Sequence, residues 1–367
     1  MPTYVIGDPQ APFAKVLEVL DRHGVLAPGK DRIADGVTLV SIGDHFDFNV
    51  EAPAEAAVEG LRTLRWLASH DPAQAVLLFG NHDAARVMEL ACIDDDTFQS
   101  ARVLGREIDQ IAKTVGPKAA KDREREFSAA FPALPSSGVI ARDYASFTTE
   151  QRALVMELLL AGRFSLARTC VLEDGRAALL THAGVTNREL AMLGIEFASE
   201  PTLIATTLAQ FFADAIDRVR PAWSKGELAP LSLAPLHVTG SEGEEGGGLL
   251  YHRPTNPASS RIDLRWAANG ERPRRFDPRE LPQGVTQVVG HTGHAKCTFE
   301  LAAWSTEAAR ARKRGGIRTL RVTGTSVVYD IDVLPPAHGV TDMIFTDGEL
   351  RRLPAHEVPL LRVDRVT

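Results

Sequence analysis

The chain has 367 residues, 44% hydrophobic and 24% charged, with a net charge of −7, enough to bury a large core in one big domain or two ordinary ones. The acidic balance argues against long nucleic acid as a partner, since a surface that neutralises phosphates carries a basic stripe. The first residues do not read as a signal peptide and no apolar run reaches about 18 residues, so neither a leader nor a membrane span is expected.

Three apolar runs share one design. Residues 4–6 lead into Gly7-Asp8, residues 37–42 into Gly43-Asp44, and residues 75–79 into Gly80-Asn81-His82-Asp83. Each reads as a buried strand that ends in glycine and then a polar side chain. Helical spacing separates them, over 13–23 and 53–70, the second opening on Pro53 where a first helical turn needs no N–H. Strand–helix–strand–helix–strand predicts a mainly parallel sheet with its functional groups at the strands' carboxyl ends.

Residues 84–167 read as a long helical insertion, broken by the Pro-rich patch 131–137. Strands are predicted again at 169–173 and 177–181, the second ending in His182-Ala183-Gly184. A second helical segment, within 186–241, includes helical spacing at 201–219 and is expected to border the cleft. The acidic, glycine-rich stretch 242–248 predicts a mobile loop. Residues 284–290 form another strand signal that ends in His291-Thr292-Gly293-His294, and 326–333 and 341–345 read as the last strands. The basic run 310–314 reads as a solvated helix end or loop.

Five strand ends thus deliver Asp8, Asp44, Asn81, His182 and His291. Carboxylate, amide oxygen and imidazole are the mixed donors that suit Mn, Fe or Zn. Thiolate is absent from the set. Cys92, Cys170 and Cys297 are far apart and unpaired in spacing, which fits a reducing, cytoplasmic setting. A carboxylate between two ions bridges them, and Asp44 is the candidate. Two ions about 3.5–4 Å apart clamp a phosphoryl group and share a bridging hydroxide, so no serine or cysteine nucleophile is needed. His82 follows Asn81 on a tight turn, which turns it toward substrate as the candidate general acid. A carboxylate beside it would fix its tautomer and keep it charged. Asp47 is the first candidate for that place and Asp83 the second. His45, His237 and His252 read as ordinary surface or loop residues.

The motifs Gly7-Asp8-Pro9-Gln10, Gly43-Asp44-His45-Phe46-Asp47, Gly80-Asn81-His82-Asp83, His182-Ala183-Gly184 and Gly290-His291-Thr292 stand in a fixed order. That order resembles the calcineurin-like metallophosphoesterases, in spelling the phosphoprotein phosphatase branch and its bacterial relatives, which include symmetrical diadenosine tetraphosphatases. Leu249-Leu250-Tyr251-His252-Arg253 is similar to the segment that carries a phosphate-binding arginine in that branch, and 327–353 resembles its closing strands. The resemblance implies one catalytic domain over 1–367 with a four-layer α/β/β/α sandwich of two mixed sheets. It implies two divalent ions, manganese first and Fe, Zn or Mg as alternatives, held by Asp8, Gln10 and Asp44 and by Asp44, Asn81, His182 and His291. It implies His82 as acid, Asp47 as its partner and Arg253 as a phosphate clamp.

Three departures stand out. Gln10 replaces a histidine, Phe48-Asn49 replace an Arg-Gly pair, and Gly293 stands where many members of the superfamily have a second histidine. His294, one residue on, is a candidate to approach the first metal in compensation. The implied activity is a metal-dependent phosphatase acting on phosphomonoesters, phosphoproteins included. Alternatives are a dinucleoside polyphosphate hydrolase, a nucleotide phosphodiesterase, or a degenerate fold kept for binding. The expected partner is a phosphorylated small molecule or phosphoprotein, with no long nucleic acid and no membrane.

Overall fold

A computed structural model describes residues 2–195, 200–258, 273–312 and 314–367. The first half of the sheet is parallel: β1 (Thr3–Ile6), β2 (Thr38–Ser41), β3 (Ala75–Leu78) and the two-residue β4 (Phe164–Ser165). The second half is mixed, with β5 (Ala167–Leu172), β6 (Ala177–Thr181), β11 (Thr286–Val289), β12 (Arg318–Thr323), β13 (Ser326–Ile331) and β14 (Thr341–Phe345). Between them lies β15 (Leu361–Val366), antiparallel to both β1 and β5. Four short strands form two separate ladders: β7 (His237–Val238) with β8 (Gly247–Gly248), and β9 (Arg253–Pro254) with β10 (Arg275–Phe276).

The two sheets implied by the motifs are therefore one hydrogen-bonded ladder of eleven strands, in the order β13-β12-β14-β11-β6-β5-β15-β1-β2-β3-β4. The ladder is folded over. At about 4.8 Å per strand, β3 and β11 would stand roughly 29 Å apart in a flat sheet. Instead Leu78 of β3 and Val288 of β11 share one buried cluster with Val5, Val40, Leu180 and Ile344. That cluster is the inside of a β-sandwich.

Helices cover the outer faces. α1 (Phe13–Arg22) and α2 (Pro53–Ala68) pack over the first half, with Pro53 in the first turn of α2 as predicted. The insertion holds α3 (Asn81–Val87), α4 (Asp95–Thr114), α5 (Pro117–Ala130), a wide π-helical turn (Val139–Asp143) and α6 (Thr149–Leu160). The Pro-rich patch does separate α5 from that turn, and the insertion has its own apolar cluster around Phe98, Phe127, Ile140 and Tyr144. After α7 (Asn187–Met192), the long α8 (Pro201–Trp223) lies on β5 and β6. Its apolar face, Ile204, Leu208 and Phe212, is buried. α9 (His294–Glu300) and α10 (Glu307–Ala311) flank the face of β11 to β14.

Several expectations need correction. The mainly parallel reading holds for the strands that end in site residues, but β5, β12, β13 and β15 make the whole sheet mixed. Gly247 and Gly248, read as mobile loop, are buried and pair with His237 and Val238. The basic run contains the last residues of α10; its Lys313 lies outside the described residues. Among the described residues, no helix is long and apolar enough to cross a membrane.

The turns after the strands demand glycine. Gly43 has φ +101°, and a methyl there would lie 2.6 Å from the Gly80 nitrogen and 3.1 Å from Nδ1 of His182. Gly36, at φ +75°, faces open space. Gly36→Ala should cost about 1 kcal/mol, the penalty of left-handed backbone alone, whereas Gly43→Ala should cost about 3 kcal/mol or more because backbone must move. Urea unfolding of both variants measures the difference, and equal losses would mean that the close approach at Gly43 contributes nothing.

Candidate metal centre and active site

The folded-over sheet brings the carboxyl ends of β1, β2, β3, β6 and β11 to one place. Asp8, Asp44, Asn81, His182 and His291 follow those strands, and all five are buried. One ligand atom from each of Asp44, His182 and His291 lies within 4.8 Å of the others. Asn81 Oδ1 stands 3.0 Å from His182 Nε2, and Asp44 Oδ1 stands 3.4 Å from the same nitrogen. Four predicted donors therefore converge on one point.

The histidines are set for metal by what lies behind them. Nδ1 of His182 lies 2.8 Å from the Ile42 carbonyl and donates to it, which turns the Nε2 lone pair to the centre. Nε2 of His291 likewise donates to the Tyr251 carbonyl at 3.0 Å, leaving Nδ1 free. Burial, then Arg253 and His182, hold His291 well below the usual histidine range, so its ring is neutral as a ligand must be. Asp8 accepts from the His291 backbone N–H through both carboxylate oxygens, at 2.9 and 3.1 Å. Burial, Asp347 and Asp44 push its pKa well up, the mark of negative charge gathered where a cation belongs.

Gln10, predicted as a ligand, lines the same cavity, and its Nε2 donates to the Phe46 carbonyl at 2.7 Å. His294 does not approach the centre. It is buried with Nδ1 at 3.0 Å from the Tyr329 hydroxyl and Nε2 against the Arg312 carbonyl.

His82 faces the cavity beside the donors. Its Nδ1 is 2.9 Å from Asp47 Oδ2 and its Nε2 is 3.8 Å from Asp44 Oδ2. Burial opposes its charge, but Asp44 and Asp47 outweigh that and raise its pKa. Asp47 is anchored in turn. Its Oδ2 pairs with Arg86 at 2.6 Å, and its Oδ1 accepts from the Ser146 N–H and hydroxyl at 2.9 and 2.7 Å. Burial alone would raise the Asp47 pKa; Arg86 and His82 hold it well below the usual carboxylate range. Arg86, fully buried, lies over the Phe46 ring and donates to Gln151 at 3.1 Å. Gln151 also completes the capping box at the start of α6 with Thr148. The insertion thus supplies Ser146, Gln151 and the Tyr144 ring edge that backs His82.

Asp83, the second candidate for His82's partner, does other work. Its carboxylate takes the backbone N–H groups of Gly80, Asp44 and His45 and the Nδ1 of His45. His45 is consequently buried, contrary to the surface reading. His237 and His252 are buried too, one stacked on Tyr251 and the other 2.9 Å from the Gly184 carbonyl.

The cavity is about 490 Å³ and is lined both by the acidic centre and by Arg142, Arg253, Lys296, Arg351 and Arg352. Arg253, the expected phosphate clamp, lines the cavity, and its Nε is buried without a hydrogen-bond partner. Lys296 was missed: it sits one turn into α9, with no strand-end signal to mark it. Arg253 and burial bring its pKa down to about 8. Asp347, beyond the end of β14, was missed because Phe345-Thr346-Asp347 has no glycine before the aspartate. Among the described residues, none of those lining this cavity comes from the segment 186–241.

The family model of the calcineurin-like phosphoesterases matches residues 1–149. Comparisons with curated proteins and with solved structures find no match. The matched span contains Asp8, Gln10, Asp44, Asp47, Asn81 and His82, and from beyond it the fold adds His182 and His291 to the donor cluster and Arg253 to the cavity. The match over residues 1–149 and the ordered donors that converge beside it support the calcineurin-like phosphoesterase superfamily and, with it, metal-dependent phosphoester hydrolysis in general.

Proposed function

We propose that the chain is a phosphatase that removes phosphomonoesters from small molecules or phosphoproteins, with manganese as its first-choice metal. The observation that carries this reading is the free Nε2 of His82, 3.8 Å from Asp44 at the cavity wall, with Nδ1 fixed by Asp47. When bound, a pair of divalent ions supplies Lewis-acid polarisation of the phosphoryl group and a nucleophile from water at neutral pH. Asp8, Asp44, Asn81, His182 and His291 would hold that pair, with Gln10 at the rim. The oxygen-rich side of the set suits manganese.

The remaining steps belong to side chains. Arg253 draws the phosphoryl oxygens by charge, and its unpartnered Nε is a donor ready for them. His82, kept charged by Asp44 and Asp47, gives its Nε2 proton to the departing oxygen. Asp47 keeps that proton on the correct nitrogen, and Arg86 and Ser146 keep Asp47 ionised and still. Buried charge of that kind holds only while it is paired.

A second reading is hydrolysis of a nucleotide anhydride such as a dinucleoside polyphosphate. Five cationic side chains around one cavity exceed what one phosphate needs, which favours it. A cytoplasmic setting accords with three free cysteines, and the acidic net charge with a partner other than long nucleic acid.

Metal-stripped protein reloaded with Mn, Zn, Fe or Mg in turn should hydrolyse p-nitrophenyl phosphate, and Asp44→Asn should abolish turnover. A preference for the bis-ester would overturn the phosphatase reading in favour of a phosphodiesterase. His82→Ala should lower kcat about 10²–10⁴-fold on phosphoserine, whose alkoxide needs a proton. On p-nitrophenyl phosphate, with its stable leaving group, the loss should be much smaller. Equal losses on both substrates would remove His82 from the acid's role. Asp47→Asn should reproduce the His82→Ala pattern at unchanged metal content, and the double variant should be little worse than either single one, as for residues that act as a unit.

A further inference from the structure

We propose that Asp347 is a ligand of the metal position on the Asp8 side of the centre, in place of a histidine there. The inference rests on the two-metal reading above. Asp8, Gln10 and Asp44 alone give that position only two charged donors, and the Gln10 amide is tied to the Phe46 carbonyl. An amide oxygen is neutral and a weak partner for a divalent ion beside carboxylates.

The fold puts a third carboxylate there. β14 pairs in parallel with β11, so its carboxyl end lies beside the end that delivers His291. Asp347 follows β14 by two residues, and its backbone nitrogen lies 2.7 Å from where a methyl on Gly7 would be, against the turn that presents Asp8. Its Oδ1 accepts the Glu349 N–H at 3.1 Å, which fixes the carboxylate plane. Among the described residues, no hydrogen bond and no ion pair within 4 Å reaches Oδ2. That oxygen lies 2.8 Å from where a Cβ on Gly293 would sit. A side chain at position 293 would fill that cradle; with glycine there, the Asp347 carboxylate occupies it.

Charge points the same way. Asp347 lines the cavity with Asp8 and Asp44, and the three carboxylates act on one another. Lys296 is near and of opposite sign but forms no ion pair with Asp347 within 4 Å among the described residues. Oε2 of Glu349, in the same wall, is buried without a partner. Cations line the cavity, yet among the described residues neither Asp8 nor Asp347 forms an ion pair with one within 4 Å, and carboxylates left so call for a cation between them.

The test is metal content, independent of turnover. Full-length protein is stripped, reloaded with Mn, and measured for bound Mn per chain by elemental analysis and for spin coupling between ions by electron paramagnetic resonance. Wild type should hold two coupled ions. Asp347→Asn should hold one, with the uncoupled spectrum of a single Mn and affinity for the second ion down by about ten-fold or more; Asp347→Glu should restore part of it. Two coupled ions in a folded Asp347→Asn would overturn the proposal. So would loss of the second ion from Glu349→Gln or Gln10→Ala but not from Asp347→Asn. Fewer than two ions in wild type would instead overturn the two-metal reading itself.

Discussion

The Ile42 carbonyl accepts the Nδ1 proton of His182 at 2.8 Å. Ile42 follows β2 in one half of the folded ladder, and His182 follows β6 in the other. The bond crosses between the two, and the Gly290 N–H reaches the His182 carbonyl beside it at 2.9 Å. Everything at the centre follows from that closure. It aims Nε2 of His182 at Asn81 and Asp44, and it lets His291 stand close enough for Asp8 to accept its backbone N–H. Neither half holds a complete set of donors. The glycines at the strand ends are there because the turns meet with no room for a methyl group, Gly7 against Thr346 and Gly290 against Asp8 across the two halves, Gly43 against Gly80 within one.

Asp44, Asp47 and His291 are all held at positive φ without being glycine. Such backbone costs of order 1–3 kcal/mol per residue and survives only where its surroundings dictate it. Asp83 is the clearest such surrounding, since its two oxygens collect the N–H groups of Gly80, Asp44 and His45. The residue next to the acid is thus spent on shaping the loop, while the acid's own partner comes from the preceding strand's turn. Arg86, Ser146 and Gln151 make the helical insertion part of the acid's support, though Arg142 alone of it borders the cavity.

The strand-end motifs carried most of the centre on their face. A buried apolar run, then glycine, then a polar residue is a local pattern, and Asp8, Asp44, Asn81, His182 and His291 each follow one. What stayed hidden depends on contacts between segments far apart in sequence. Arg86 and Ser146 look like helix and loop residues until the fold sets them on Asp47, 39 and 99 positions away. His45, His237 and His252 gave no sign of burial because each is buried by a partner from another element. β12 and β15 were missed for a similar reason. Their arginines interrupt the apolar alternation, and those arginines are satisfied by tertiary partners such as Asp342 and Glu173.

Placing β15 between β1 and β5 has a consequence for the order in which this molecule can be made. Strand β1 consists of residues 3–6, and its neighbour on one side consists of residues 361–366. The pairings of β1, β2 and β3 can form early, since all three strands lie within residues 3–78. The ladder cannot join them to β5 and β6 until residues 361–366 are available, because β15 pairs with both β1 and β5. Contacts of such wide separation are slow to form. The strand that closes the ladder between the two halves of the donor set is thus separated from β1 by some 355 residues of chain, and the complete centre depends on that distant pairing.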